Sequence, residues 1–451
     1  MGKPNVLGKQ VVNCEDNLLI TMTASGRIII ANTDLPVKSL NKNYMTSFKS
    51  LVAGWLIGFV LLLGPSGCQT VTTDPAVTPA PVPKVLVSGT SIGKFTPAQL
   101  TTRYTALFGP LASLITGQYL KNEITIYKLV YKTTNTDGTT IQASGALIVP
   151  TVTAGIPMIS IQHGTIRSDN DAPSGNGPGS DTYSFGSLFA SSGNIVALPD
   201  YIGYGASANL PHTYEHRVGL ATASLDMLRA SREFLEQNKV NWDKRLYITG
   251  YSEGGYATMS LFKKMQDDVP TEFNLKAVSC GAGAYDKTAF MKFVVNNTAT
   301  TEPANTSLYI WVLLTYDRIY GLNRPMTYYF KEPYATQIQT QRENIRLTVS
   351  LNQVFTDAFK QAVNSGSDAA FVKVVADNDV FDWKPNVPLQ LYHGTADDLV
   401  PFFNSQNAFD AMKKRGTTNI TLTPIQGANH TSSEAISGYG LGTYSFFQSV
   451  Q

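Results

Sequence analysis

Residues 245–256, RLYITGYSEGGY, are the stretch that most constrains what this 451-residue chain can fold into. The β-branched and aromatic run RLYIT leads directly into Gly250-Tyr251-Ser252-Glu253-Gly254-Gly255, and YATMSLFKKMQ then reads as a helix. In G-x-S-x-G the small residues permit a very tight turn and hold the serine exposed at the helix amino terminus. A strand that feeds a helix through such a turn belongs to a sheet covered by helices, so the segment predicts an α/β fold with Ser252 as a nucleophile. A solvated turn serine is the alternative.

The rest of the chain agrees with that architecture. EITIYKLVYKT and TTIQASGALIVP read as a hairpin around Thr136-Asp137-Gly138. IPMISIQ, NIVALPD, RLYITG, LKAVSCG, VPLQLYHG and NITLTPI read as short buried strands, apolar nearly throughout as in a mostly parallel sheet. Residues 215–237 place Val218, Ala221, Leu225, Leu228 and Leu235 on one helical face, which makes a crossover helix. Residues 287–385 separate two consecutive strands by far more than a normal connection, so they are expected to form an inserted, mainly helical cap. Only 15% of residues are charged, against roughly 25% on average. That composition excludes a disordered, coiled-coil or nucleic-acid-binding chain. The length fits two or three domains, or one large domain with an insertion.

A serine nucleophile needs a base and an acid, which follow it in the order acid, then histidine, in this strand-turn-helix setting. Of five histidines, His163, His212 and His216 precede Ser252, and His393 lies in a strand ahead of its acid. His430, in GANH after the last strand, is left as the base. Asp397 opens the D-x-x-V-P segment after VPLQLYHG and is the first choice for the acid, with Asp398 and Asp286 as rivals. Asp397 would fix the imidazole tautomer while His430 takes the serine proton and returns it to the leaving group. The oxyanion donors are expected to be the backbone N–H of Glu253 and that of Thr165, in the loop His163-Gly164-Thr165, where Gly164 allows close backbone approach. His163 reads as a loop former bordering the site.

These features together resemble the α/β-hydrolase superfamily, in particular its secreted lipase and esterase branch with an inserted cap. The resemblance covers roughly residues 120–450 and rests on QHGT at 162–165, DYIGYG at 200–205, GYSEGG at 250–255, and HGTADDLVP followed by GANH. It implies carboxylic ester hydrolysis through an acyl-enzyme, with neither metal nor organic cofactor. It also implies that Asp200, Gly203 and Gly205 form turns, and that DNDAPS at 169–174 is the loop following the oxyanion motif. A serine peptidase of the same fold is the alternative within the enzyme class. An inactive lipid- or glycan-binding surface lipoprotein is the alternative outside it.

The cap holds Tyr309, Trp311, Tyr316, Tyr320, Tyr328, Tyr329, Phe330 and Tyr334 within 26 residues. Such rings combine apolar area with polar tips and suit the wall of an acyl or aromatic-ester pocket, although they also serve as a core. Trp311, Tyr316 and Tyr320, with His163 and Tyr251, are the candidate pocket residues. A cap excludes water and limits substrate size, which favours small to medium esters. No His or Cys spacing matches a metal site, and no basic run matches nucleic acid.

Ahead of this body, LVAGWLIGFVLLLG at 51–64 is too short for a bilayer-spanning helix and reads as the core of a signal peptide at 45–67. Gly67-Cys68 resembles a bacterial lipobox, with Pro65 where leucine is usual. Cys68 is therefore the expected lipidation site, with ordinary secretory cleavage or a retained anchor as alternatives. Residues 1–44 are read as a mis-set start or an extension, and 68–90 as a Pro/Thr-rich tether. The hydrolase domain is then 91–286 and 386–451. The chain is expected to lie outside the cytoplasm, as a cell-envelope lipoprotein or secreted. Cys280 is left without a partner and reads as a core residue. Six basic and three acidic residues precede Cys68, so the formal net charge of +2 becomes −1 for the remainder.

Overall fold

The computed structural model describes residues 18–22, 28–32, 83–109, 117–300 and 302–450. The chain divides into a unit up to Thr78 and a unit from Pro79 to the end. In the first, strands β1 (Leu18–Met22) and β2 (Ile28–Asn32) pair antiparallel. The expected signal peptide, Cys68 and the tether as far as residue 82 lie outside the described residues.

In the second unit nine strands form one sheet: β3 (Leu86–Phe95), β4 (Ile124–Thr134), β5 (Thr140–Pro150), β6 (Ile156–Gln162), β7 (Ile195–Pro199), β8 (Trp242–Tyr251), β9 (Asn274–Gly281), β10 (Leu389–Gly394) and β11 (Ile420–Ile425). Their spatial order is β11-β10-β9-β8-β6-β7-β5-β4-β3. From β11 to β7 all pairs are parallel, and β7, β5, β4 and β3 continue antiparallel. β7 and β8 flank β6 on opposite sides, so the loops leaving β6 and β8 diverge and open a crevice at their carboxyl ends, where ligands bind in sheets of this kind.

β3 corrects the expected tether boundary, because residues 86–90 belong to the sheet. It is a mostly exposed edge strand with two glycines and no apolar alternation, so it carries no periodic signal. Glu233 Oε1 tethers its start by accepting from the N–H of Val85 at 2.6 Å.

Helices cover both faces. α1 (Pro97–Phe108), α2 (Ser187–Ser191) and a carboxyl-terminal helix (Ser433–Ser449) bury Leu100, Phe189 and Phe447 on one. α3 (Arg217–Gln237) and α4 (Glu253–Asp268) bury Leu225, Leu228, Leu235, Met259 and Phe262 on the other. Each such side chain contributes roughly 1.5–3 kcal/mol through removal from water. Val218, expected on the apolar face, is exposed in the first turn of α3.

Between β9 and β10 the chain forms α5 (Lys287–Asn296), α6 (Pro303–Ile319), α7 (Met326–Tyr329), α8 (Tyr334–Gln341), α9 (Leu351–Val354), α10 (Asp357–Ser365) and α11 (Ala369–Asp377). They share an apolar core in which Tyr329, Phe330, Phe355, Phe359 and Phe371 pack ring against ring. Thr356 and Asp368 cap α10 and α11, satisfying N–H groups that the first turn leaves open. The last helices, α12 (Phe403–Lys414) and α13 (Ser433–Ser449), flank β11 in sequence. Among the described residues no helix is long and apolar enough to cross a membrane.

Candidate active site

Ser252 stands between β8 and α4 with φ 60° and ψ −124°, a conformation that side chains rarely adopt. Its N–H donates to the carbonyl of Gly281 at 2.9 Å, at the end of β9. The turn survives because Gly254 lacks a Cβ: an added one would lie 2.0 Å from the carbonyl oxygen of Gln162 at the end of β6. The strand ends and the helix start are therefore wedged together, with the serine projecting from the wedge.

His430 and Asp397 reach Ser252 from the loops after β11 and β10. His430 Nε2 is 2.8 Å from Ser252 Oγ, and its Nδ1 is 2.7 Å from Asp397 Oδ2. The other carboxylate oxygen of Asp397 accepts from the N–H groups of Leu399 at 3.0 Å and Val400 at 2.7 Å. Burial by itself would raise the Asp397 carboxyl. Hydrogen bonds from His393 and His430, with the attraction of their imidazoles, outweigh it and hold the carboxyl down to about 2. The structure brings Ser252, His430 and Asp397 together. It does not bring Asp286 there, whose carboxylate caps α5 by accepting from the N–H of Ala289 at 2.8 Å.

Gly164 backs directly onto the serine: a Cβ placed on it would lie 4.0 Å from that of Ser252. Glu253 is the first residue of α4, so its N–H has no intrahelical acceptor. Thr165 hydrogen bonds through Oγ1 to the Tyr214 hydroxyl at 3.1 Å. The loop is held from beneath by His163, which is buried, stacks on Tyr201 at 4.1 Å, and places Nε2 3.1 Å from the carbonyl of Asp200. Asp200 in turn accepts from Ser144 Oγ at 2.5 Å and from the N–H of Ser174 at 2.7 Å, which ties 169–174 to this turn.

Two cavities reach Ser252. One, of about 150 Å³, runs beside Gly164 and Tyr251 toward Phe185, Phe189, Ile436 and Tyr439. The other, of about 20 Å³, lies against Tyr214, Tyr309, Val312 and Leu399. Of the candidate pocket residues, Tyr251 is thus in place. The other four are corrected. His163 is consumed by loop contacts. Tyr316 is fully buried and donates to the carbonyl of Glu215 at 2.9 Å. Tyr320 donates to Asp377 Oδ2 at 2.5 Å. Trp311 stacks on Tyr214 at 4.3 Å and faces a separate cavity. On α6, Trp311 falls on another face than Leu308, Tyr309 and Val312, the α6 residues lining the cavity at Ser252. Tyr316 shares the face of Tyr309 and Val312 but lies a turn further along, where the three line an adjoining cavity, and Tyr320 follows the end of the helix.

Sequence reasoning missed two participants, His393 and Glu215, and the side-chain role of Glu253. His393, passed over as a base, is buried with Nε2 3.2 Å from Asp397 Oδ2 and 2.7 Å from the carbonyl of Val400. Glu253 pairs its side chain with His212 Nε2 at 2.8 Å. Glu215 forms a buried ion pair with Lys287 and borders the smaller cavity at Ser252. Burial dominates both partners of that ion pair, raising the carboxyl of Glu215 and lowering the ammonium of Lys287. Among the described residues no group of three His, Cys, Asp or Glu side chains is arranged to hold a metal ion. Cys280 is buried in β9, and burial pushes its thiol well above the usual range, as for a core residue.

The sequence pattern of the secretory lipase family matches residues 179–441. A protein from Legionella pneumophila is similar in structure, with 25% identity, a TM-score of 0.72, and coverage of 81% of this chain and 98% of its own. The rice cell wall degrading esterase LipA from Xanthomonas oryzae aligns with a TM-score of 0.66 at 22% identity, over 80% of this chain and 96% of its own. Lipase A from Candida antarctica aligns with a TM-score of 0.56 at 14% identity, over 81% and 82%. No curated protein matches the chain in sequence.

Proposed function

The chain belongs to the secretory lipase family and is a carboxylic ester hydrolase of α/β-hydrolase fold, and we propose from that premise that it works through an acyl-enzyme on Ser252. The observation that carries this reading is the continuous hydrogen-bonded line from Ser252 Oγ through His430 to Asp397. In the proposed reaction the serine oxygen attacks the ester carbonyl carbon while His430 Nε2 takes its proton. The carbonyl oxygen becomes an oxyanion, held by the N–H groups of Glu253 and Thr165. Collapse expels the alcohol, which receives the proton from His430. Water then attacks the acyl-enzyme by the same steps, with His430 again as base, releasing the acid and restoring the serine. Asp397, anchored by Leu399 and Val400, holds Nδ1 protonated and stabilises the imidazolium.

The cavity of about 150 Å³ is mainly apolar and smaller than the roughly 300–1,000 Å³ that enclose drug-sized ligands, which favours a short acyl chain. The inserted helices act as a cap over the alcohol side, where Tyr309 and Val312 come close to the serine. Ser252→Ala is expected to abolish both p-nitrophenyl ester turnover and labelling by a fluorophosphonate. Turnover at the unsubstituted rate would remove Ser252 from the reaction.

A further inference from the structure

Beyond the stacked rings of Tyr214 and Trp311, on the side away from Ser252, lies a cavity of about 430 Å³ that the reaction leaves unassigned. Its size falls in the range of sites that hold small molecules. Its lining is charged: Arg167, Arg318 and Arg342 face it, against the single carboxylate of Glu343. None of the three guanidiniums has a carboxylate within ion-pair distance among the described residues. By contrast Arg229, Arg232, Arg324 and Arg415 are each paired with one.

The donors are only partly spent. Arg318, half-buried on α6, gives one N–H to the carbonyl of His212 at 2.8 Å. Arg167, exposed at the rim, gives two, to the carbonyl of Glu343 and to Ser307 Oγ, both at 2.8 Å, and lies over the Trp311 ring at 4.9 Å. Arg342 makes no side-chain hydrogen bond among the described residues, and its backbone sits at φ 52°. Burial, followed by the repulsion of Arg342, lowers the proton affinity of Arg318. Bound negative charge would relieve that repulsion. A planar fork of N–H donors matches a carboxylate or phosphate oxygen pair, so the vacant donors and the like-charge crowding ask for the same occupant.

We propose that this cavity is an anion subsite, taking a carboxylate or phosphate group that is either carried by the ester substrate or supplied as a separate ion. It is linked to the nucleophile by two short paths. His212 in its lining hydrogen bonds to Glu253, the residue after Ser252, and Trp311 stacks on Tyr214, which borders the serine. The coupling to turnover rests on the reading of Ser252 as nucleophile; the binding itself does not.

The test uses the full chain and two variants, Arg342→Gly, which suits the positive φ, and Arg318→Gln. Calorimetry with inorganic phosphate and with adipate measures binding. Specificity is the ratio of kcat/KM for 4-(carboxymethyl)phenyl hexanoate, whose carboxylate is on the alcohol, to that for neutral 4-methylphenyl hexanoate. Anion binding in the unsubstituted protein that weakens about tenfold or more in both variants supports the subsite. If the ratio falls with it, the anion is ester-borne; if binding falls and the ratio holds, it is a separate ion. Absence of anion binding together with an unmoved ratio overturns the proposal, as does binding that both variants retain. Hexanoate turnover and fluorophosphonate labelling report on Ser252 separately, so an inactive serine and an empty subsite are distinguishable.

Discussion

His216 makes stability fall on the acid side of neutrality, and the size of the effect follows from its surroundings. Its side chain is buried at the start of α3, where Nδ1 accepts the N–H of Gly219 at 3.1 Å and the ring meets Tyr320 edge-on at 5.5 Å. Burial is the main reason its proton affinity drops from the ordinary value of 6.5 to about 4. Asp377 opposes the drop, and Arg217 and Arg318 add to it. Between those two values the unfolded chain binds a proton that the fold excludes, so stability rises with pH across this window and is lost as pH falls. The loss reaches about 2 kcal/mol at pH 5 and about 3 kcal/mol at pH 4. His216→Asn keeps a good amino-terminal cap and cannot take up the proton. Urea unfolding at pH 8 and pH 5 should show the unsubstituted protein losing about 2 kcal/mol more than the variant. Other titrating groups cancel in that comparison. Parallel losses in the two proteins would refute the reasoning, because they would mean that His216 titrates alike in the folded and unfolded states.

Asp397→Asn is expected to lower kcat by about 10⁴ with little change in KM, since an amide can hold His430 in the wrong tautomer. In acid the same residue contributes differently. Its carboxyl is held down to about 2, so the stability it provides, of order 2 kcal/mol, is present above about pH 4 and lost as pH falls toward 2; urea midpoints of the variant should lack that component. For the leader, mass spectrometry of the native protein should find an acylated Cys68 as the first residue. A tryptic peptide from before Met45 would refute the reading of residues 1–44 as a mis-set start.

The sheet and the three residues that meet at the candidate site were legible because their physics is local or ordered. Parallel strands are buried on both faces and announce themselves as apolar runs, and the elbow needs glycines at fixed positions. Chain order then separates His430 from the other four histidines. β3 was not legible, because an exposed edge strand needs no apolar alternation. His393 was passed over for a similar reason. Its place before Asp397 excludes it as the base, but nothing in the sequence shows that the strand end turns its ring back onto that carboxylate. The aromatic cluster was visible as a cluster, yet which ring reaches Ser252 depends on the rotation of α6 about its axis, which turns Trp311 away, and on position along it, which carries Tyr316 and Tyr320 past the serine while Tyr309 and Val312 border it.

Charges near the serine were the hardest feature to foresee, because nothing in the sequence marks the side chains of Glu215, Lys287 and Glu253 as buried. The structure uses them as ties. Glu215 precedes α3 and Lys287 opens α5, so their buried pair fastens the first inserted helix to the loop beside Ser252. His212, in the same loop, fastens it to α4 through Glu253. Apolar contacts alone would let the inserted helices slide over a smooth surface, whereas a desolvated pair has a single geometry in which both partners are satisfied. A buried pair adds little net stability, because desolvation offsets the attraction, but separating it leaves an unpaired charge at a cost of about 3–5 kcal/mol. The loop at 212–216, to which Tyr316 of α6 also donates, therefore sets where the helix carrying Tyr309 and Val312 lies beside Ser252. The room left between Ser252 and the inserted helices is fixed by ion pairs as much as by the side chains that line it.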